Sequence, residues 1–411
     1  MPNKRKIIND AVHGFITIPS DFIYELIQHP YFQRLSRIKQ LGAASMVYPS
    51  ATHTRFQHSL GAMHLTSEAI TELRAKGHEI TPEEQEAVLS AILFHDLGHC
   101  PYSHALEKEI VQGLSHEALT ESLMRQISEE KSGRLDMAIR IFRDEYPKHF
   151  LHQLISSQLD MDRFDYLMRD SFFTGVVEGS IGSARIIKML DVEKDSLVVE
   201  HKGILSVENY LITRQFMYWQ VYFHKTSVAA EAMLKNIIRR AKHLAQSGYK
   251  LFASPALQYF LANDLTKDNF FSTPENLAKF VSVDDSDLIS AMKVWAESSD
   301  TVLSSLSRNF INRRLFKTMH IDGDLSTEQL QTIVEEQRKM IGNTLGLTEA
   351  EQDYLASYTV VRNGTYNSHK ERILLRLANG STQDISEYSS FLTKENINHS
   401  KRKNYICYYK V

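Results

Sequence analysis

The chain has only two cysteines, Cys100 and Cys407, far apart in 411 residues. That excludes a disulfide framework and a cysteine zinc site, and two reduced thiols suit a cytoplasmic protein. No apolar run approaches the roughly 20 residues of a spanning helix, so no membrane association is expected. The opening MPNKRKIIND has basic residues but no apolar stretch behind them, so a secretory signal is not expected. Neither charge dominates: 47 basic against 50 acidic residues give a net charge of −3. This offers no general reason to expect anionic lipid or nucleic acid as partner, yet it leaves room for a local basic pocket that takes a phosphorylated small molecule. Repeats and low-complexity linkers are also missing, and the length suits one large domain or two ordinary ones.

Histidine is the chemically active residue present in number, with 18 copies. The stretch AILFHDLGHCPYSHALE places His95, Asp96, His99 and His104 within ten positions. It closes the best-marked helix of the chain, TPEEQEAVLSAILFHDLG. Thr81 can cap that helix, Pro82 suits its first turn, Glu83 and Glu84 favour its positive end, and Gly98 can terminate it. Val88, Ala91 and Ile92 share a face that continues to His95, which therefore points inward.

The remaining pattern is mainly α, a helical core with short N-terminal and internal β-hairpins and a small α+β C-terminal region. KIINDAVHGFITIP reads as a hairpin around His13-Gly14, and DVEKDSLVVEHKGILSV as a second, turning at Lys194-Asp195 or Lys202-Gly203. PKHFLHQLISSQLDMDRFDYLMRDS reads as one strong helix in which Asp162, Tyr166 and Asp170 form a polar row at four-residue spacing. Residues 207–245 read as a single long, aromatic-rich helix. YLASYTVV, RILLRLA and NYICYYKV are strand-like, and a soft boundary near residue 320 separates a core, 1–320, from a C-terminal region, 321–411.

Imidazole and carboxylate together suit Mn, Fe, Zn or Ni, with Mg also admitted, and a hydrolytic metal keeps one position open for water. His95-Asp96 can supply two ligands from one turn, and Asp162 a third from another helix. A further histidine should come from ATHTRFQHSLGAMHL, where spacing alone does not choose among His53, His58 and His64.

HDLGHCPYSH, preceded by HTRFQHSLG and followed by QLDMDRFDYLMRD, resembles the HD superfamily of metal-dependent phosphohydrolases. More narrowly it is similar to the deoxynucleoside triphosphate triphosphohydrolases, both bacterial enzymes and the animal SAM-and-HD-domain enzyme. The likeness begins at KIINDAVHGFI, passes through PYFQRLSRIKQLG and reaches TRQFMYWQVYFHK, about residues 6 to 240. It implies an HD-domain helical core with a divalent metal held by His58, His95, Asp96 and Asp162. It also places His99, His104 and His116 at the reaction centre, where His116 or His99 would pass a proton to the leaving oxygen.

Substrate-facing positions carried over by the resemblance are Arg55, Arg163, Arg214 and Lys225 among the cations. Gln40, Leu41, Tyr166 and Asp170 fall at the sugar, and Tyr222 at the nucleoside end. The animal enzyme has lysine where Arg163 stands, and a planar guanidinium is not an equivalent donor. Lys6, Asn9 and Gln33 match a regulatory nucleotide site. The acid and arginine that take a guanine nucleotide there are Gln28 and Ser36 in this chain, which argues against a guanine-specific activator and leaves another nucleotide open. The implied reaction splits a dNTP into deoxynucleoside and triphosphate. Its rivals are another HD reaction, by a nucleotidase or phosphodiesterase, and a nucleotide-sensing or nucleic-acid-binding protein. By analogy with relatives, a homo-oligomer (dimer, tetramer or hexamer) is expected.

Overall fold

The computed structural model describes residues 6–323, 325–363, 366, 372–389 and 401–411. The chain opens on an antiparallel hairpin, Ile7–Asp10 with Gly14–Thr17, paired from Ile7↔Thr17 to Asp10↔Gly14. From Asp21 onward it is mainly helical. The helices Arg55–Ala75, Pro82–Phe94 and Met161–Thr174 pack together as the frame of the core. Each starts where the sequence supplies a cap. Thr54 forms a capping box with Gln57, Thr81 forms one with Glu84, and the Asp160 carboxylate accepts from the Arg163 N–H. Leu60, Met63, Leu89, Ile92, Leu93 and Phe94 fill the space between them and are essentially inaccessible to water.

Close packing in this core depends on two glycines, Gly61 between the frame helices and Gly98 against the helix His116–Glu130. A Cβ on Gly61 would lie 1.9 Å from Asp165 Oδ1, and one on Gly98 would lie 2.0 Å from the His116 carbonyl. Gly98 thus serves packing and does not end the helix. The helix ends at Phe94, and Thr120 closes the next turn by donating to the His95 carbonyl and accepting from the Gly98 N–H. Gly61→Ala should gain about 1 kcal/mol in helix propensity. It should nevertheless lose on balance, because overpacking a filled interior costs about 1–3 kcal/mol and here the clash is with a buried carboxylate. A lowered urea midpoint at unchanged slope checks this.

Two segments expected as single helices are broken, for identifiable reasons. Between His149–Gln153 and Met161–Thr174 the chain turns, because Asp160 accepts from the Ser157 N–H and Ser157 from the Leu159 N–H. Such local side-chain bonds compete with the helical ladder. The long aromatic helix divides into Ile204–Met217, a widened π turn at Tyr218–Tyr222, and Lys225–Gln246. The Tyr48 hydroxyl donates to the Gln220 carbonyl there, and His224 caps the following helix by accepting from the Thr226 N–H.

The internal hairpin, Leu190–Glu193 with Ser196–Glu200, turns at Lys194-Asp195, both in the left-handed region. Leu374–Arg376 joins it in parallel and Thr382–Asp384 extends the sheet. A second sheet has Lys401–Tyr408 between Lys317–Ile321 and Ala356–Asn363. The helix Thr327–Leu345 packs on that sheet, which also contacts Lys225–Gln246. The soft boundary at residue 320 falls inside the Lys317–Ile321 strand. No helix among the described residues is long and apolar enough to cross a membrane.

Candidate active site

Three helices converge on one cluster of electron-rich atoms. His58 comes from the first turn of Arg55–Ala75, His95 from the end of Pro82–Phe94, and Asp162 from the first turn of Met161–Thr174. His58 Nε2 lies 3.2 Å from His95 Nε2 and 3.0 Å from Asp162 Oδ1, and His95 Nε2 is 3.4 Å from the same oxygen. Asp96 completes the group, its carboxylate 3.4 Å from His95 Nε2 and 3.7 Å from His58 Nε2.

The tautomers follow from the outer partners. His58 Nδ1 donates to Asp165 Oδ2 at 2.8 Å and His95 Nδ1 to the Ile92 carbonyl at 2.6 Å, since neither partner can donate. Both Nε2 atoms are therefore directed at each other and at two carboxylates, an arrangement that a positive charge, metal ion or proton, would satisfy. Metal–ligand bonds of about 2.0–2.2 Å set ligand atoms roughly 3.0–3.5 Å apart, close to these spacings. The potential agrees: burial opposes a charged His58, yet Asp162 and Asp165 push it up to about 10. Burial likewise opposes charge on Asp96, but Arg55 and the imidazoles hold its carboxyl well below the usual range.

The cluster forms the floor of a cleft of about 420 Å³. Arg55 lies beside it, donating to Asp96 Oδ2 at 2.6 Å and through Nε and the other terminal nitrogen to Ser103. His99 approaches Asp96 at 3.1 Å, and its ring is 4.1 Å from that of His116. Burial and the charge of Arg55 hold His99 well below the ordinary imidazole value. His116 is fastened by Glu107, which accepts from its backbone N–H at 2.7 Å and from Nδ1 at 3.0 Å.

Across the cleft stand Tyr166, Tyr222 and Asp170, with Gln40 and Leu41 beside them. Asp170 is held from both sides, by the Tyr222 hydroxyl at 2.7 Å and His53 Nε2 at 2.7 Å. The three candidate histidines meet different carboxylates. His58 faces the cluster, His53 holds Asp170, and His64 stands 3.6 Å from Glu68 on another wall of its helix.

Other residues singled out in the sequence stand apart from the cleft lining. Arg163 pairs with Asp160, Arg214 donates to Gln158 Oε1 at 2.9 Å, and Lys225 is exposed at the start of its helix. Lys6 lies over the Tyr24 ring, Gln33 donates to the Ile27 carbonyl, and Asn9 sits in the first strand. The His104 side chain lies outside the described residues. Sequence reasoning missed Glu107 and the cleft-lining Tyr218, Glu231, Thr359 and Val361. It also missed Asp165, for which the Asp165/Arg169 spacing beside Asp162 was an available signal.

Histidines and aspartates from three helices, closed behind by hydrogen-bond partners and open to a polar cleft, make a ligand set of the kind that suits a divalent metal in a helical hydrolase. Residues 55–170 match the HD domain and residues 181–252 the HD associated region. The uncharacterized protein YwfO of Bacillus subtilis is 31% identical over 418 residues, covering 99% of this chain and 92% of its own. A phosphohydrolase structure from Bacteroides thetaiotaomicron is 51% identical with a TM-score of 0.94, covering 99% of this chain and 100% of that one. A deoxynucleoside triphosphate triphosphohydrolase SAMHD1 homolog of Dictyostelium discoideum is 32% identical over 255 residues, 57% of this chain and 49% of its own length. The chain belongs to the HD phosphohydrolase family, whose domains bind divalent metals.

Proposed function

We propose that this protein hydrolyses deoxynucleoside triphosphates to deoxynucleoside and inorganic triphosphate. The observation that carries this reading is one cleft in which the His58/His95/Asp96/Asp162 cluster stands between a phosphate-type cation, Arg55, and a wall of nucleoside character, Tyr166, Tyr222 and Asp170. The likeness to the Dictyostelium relative adds weight to it. Gln40 supplies a further cue: its buried Oε1 has no partner, and an orphaned acceptor costs about 1–3 kcal/mol unless a ligand donor fills it. A sugar hydroxyl is such a donor.

His58, His95, Asp96 and Asp162 would hold the divalent ion, which supplies Lewis-acid polarisation of a phosphoryl oxygen and a water of lowered pKa when bound. Arg55, fixed by Asp96 and Ser103, would meet the charge developing on phosphate oxygens without having to reorganise. In the balanced step, oxygen of water bonds to the α-phosphorus keeping one hydrogen, the bond from phosphorus to O5′ breaks, and the proton O5′ takes as it leaves is made good by the one the water gives up. His116, with Nδ1 engaged by Glu107, would deliver that proton through Nε2. Leu41 and the Tyr222–Asp170 pair would stand against the sugar.

Incubating the protein with Mn²⁺ or Mg²⁺ and each dNTP and NTP, with and without a second dNTP, and resolving the products tests this. Deoxynucleoside with intact triphosphate is expected. Nucleoside mono- or diphosphate, or orthophosphate as the first product, would move the assignment to another HD reaction.

A further inference from the structure

Behind the ligand cluster lies a second, wholly buried set of charges centred on Asp165. Its Oδ2 accepts from His58 Nδ1 at 2.8 Å and from Arg169 Nε at 2.9 Å. Its Oδ1 accepts from His13 Nε2 at 2.6 Å and from a terminal nitrogen of Arg169 at 2.9 Å. Two donors on each oxygen fill the roughly four acceptor sites a carboxylate offers, so its orientation is fixed. Arg169 reaches on to Asp10, with nitrogens 2.8 and 3.2 Å from its two oxygens. Asp10 Oδ1 also accepts from the backbone of Val12 and His13, shaping the turn that carries His13. The side chains of Asp165 and Arg169 are fully buried, and that of His13 is 4% exposed.

The N-terminal hairpin is only two strands of four residues, an element of marginal stability by itself. Its turn is nevertheless joined to a helix some 150 residues away by charge-assisted bonds, and it ends on the one carboxylate that sets the tautomer of a ligand histidine. None of Asp10, His13, Asp165 and Arg169 lines the cleft, so substrate contact does not account for this set.

We propose that the hairpin is a working part of the metal centre. His13 is a positioning residue that, by occupying Asp165 Oδ1, keeps Oδ2 against His58 Nδ1 and so keeps His58 Nε2 a bare ligand nitrogen. This rests on the reading of His58 as a metal ligand. Without the His13 donor, Asp165 gains freedom to turn toward Arg169 alone, and His58 loses control of its tautomer and ring plane. Outer partners of this kind are worth about ten- to a hundredfold in metal affinity.

The test is Mn²⁺ titration of the full chain after chelation, read as calorimetric affinity and as the rise in Tm that the ion produces. His13→Ala should bind Mn²⁺ about ten- to a hundredfold more weakly. His13→Gln keeps an N–H donor and should stay near the native affinity. Native affinity in His13→Ala, or equal loss in His13→Gln, overturns the proposal. Should His13→Ala not fold, the isosteric Asp165→Asn enters the same titration, and native affinity there also overturns it. His95→Ala separates the two readings. If the native chain binds Mn²⁺ no better than His95→Ala, the metal site itself fails; if it does and His13→Ala matches the native chain, only the role of His13 fails.

Discussion

Replacing His95 with alanine should remove the divalent ion and the hydrolytic activity together while leaving the fold in place. Of the proposed ligands, His95 is the one whose loss disturbs least besides the metal. It sits at the exit of Pro82–Phe94, and its Nδ1 bonds only to the Ile92 carbonyl of its own helix. His58 would be a poorer target, because its removal also takes one of the four donors from the buried Asp165. Taking one nitrogen from the cluster leaves one imidazole and two carboxylates, and affinity should fall by more than the roughly hundredfold upper range for an outer partner. Metal assistance is worth several kcal/mol, and each 1.36 kcal/mol is about tenfold in rate, so activity should drop on the order of a thousandfold or more. Metal content by elemental analysis and product formation at saturating Mn²⁺ check both. A variant that keeps its metal and its rate removes His95 from the site. Asp162→Asn should behave similarly, since the change is isosteric and the Asp162 side chain, which lines the cleft, is 30% exposed.

How much of this was legible in the sequence depends on how far apart the partners are along the chain. The helix bearing His95-Asp96 could be read from its caps, because capping is local chemistry among Thr81, Pro82 and Glu84. The row Asp162, Tyr166, Asp170 could be read from helical spacing, and all three line the cleft. The choice of His58 over His53 and His64 could not be made from spacing, because what decides it is which carboxylate each ring meets across the fold: Asp162, Asp170 or Glu68. His13 read as a turn residue, and nothing local to the hairpin points to Asp165. Breaks in the two long helices were hidden for a related reason. Hydrophobic periodicity continues through Ser157–Asp160 and Tyr218–Tyr222, while the bonds that bend the chain there involve single polar atoms. Thr359 and Val361 reach the cleft through a sheet whose central strand is the C-terminal Lys401–Tyr408, a pairing no local pattern encodes.

His116→Ala should separate chemistry from metal binding. The ring of His116 stands 4.1 Å from that of His99, which in turn contacts Asp96, so it lies one residue outside the ligand cluster. The substitution should therefore leave the bound ion in place. It also leaves the helix start intact, because the cap is the Ser115 hydroxyl accepting from the Ala118 N–H. What is lost is an imidazole oriented by a carboxylate, the arrangement that makes histidine an effective proton donor. General acid catalysis contributes about 10²–10⁴-fold, and kcat should fall by that order with a much smaller change in KM, as for an interaction made chiefly in the transition state. Glu107→Gln should give a smaller loss, since the amide oxygen can still accept from Nδ1 but makes a weaker, uncharged hydrogen bond. Native kcat in His116→Ala would pass the proton-donor role to His99 or another group. Loss of the ion along with activity would place His116 among the ligands instead. The ordering His95→Ala below His116→Ala below Glu107→Gln in residual rate, with metal missing only from the first, is the pattern this geometry requires.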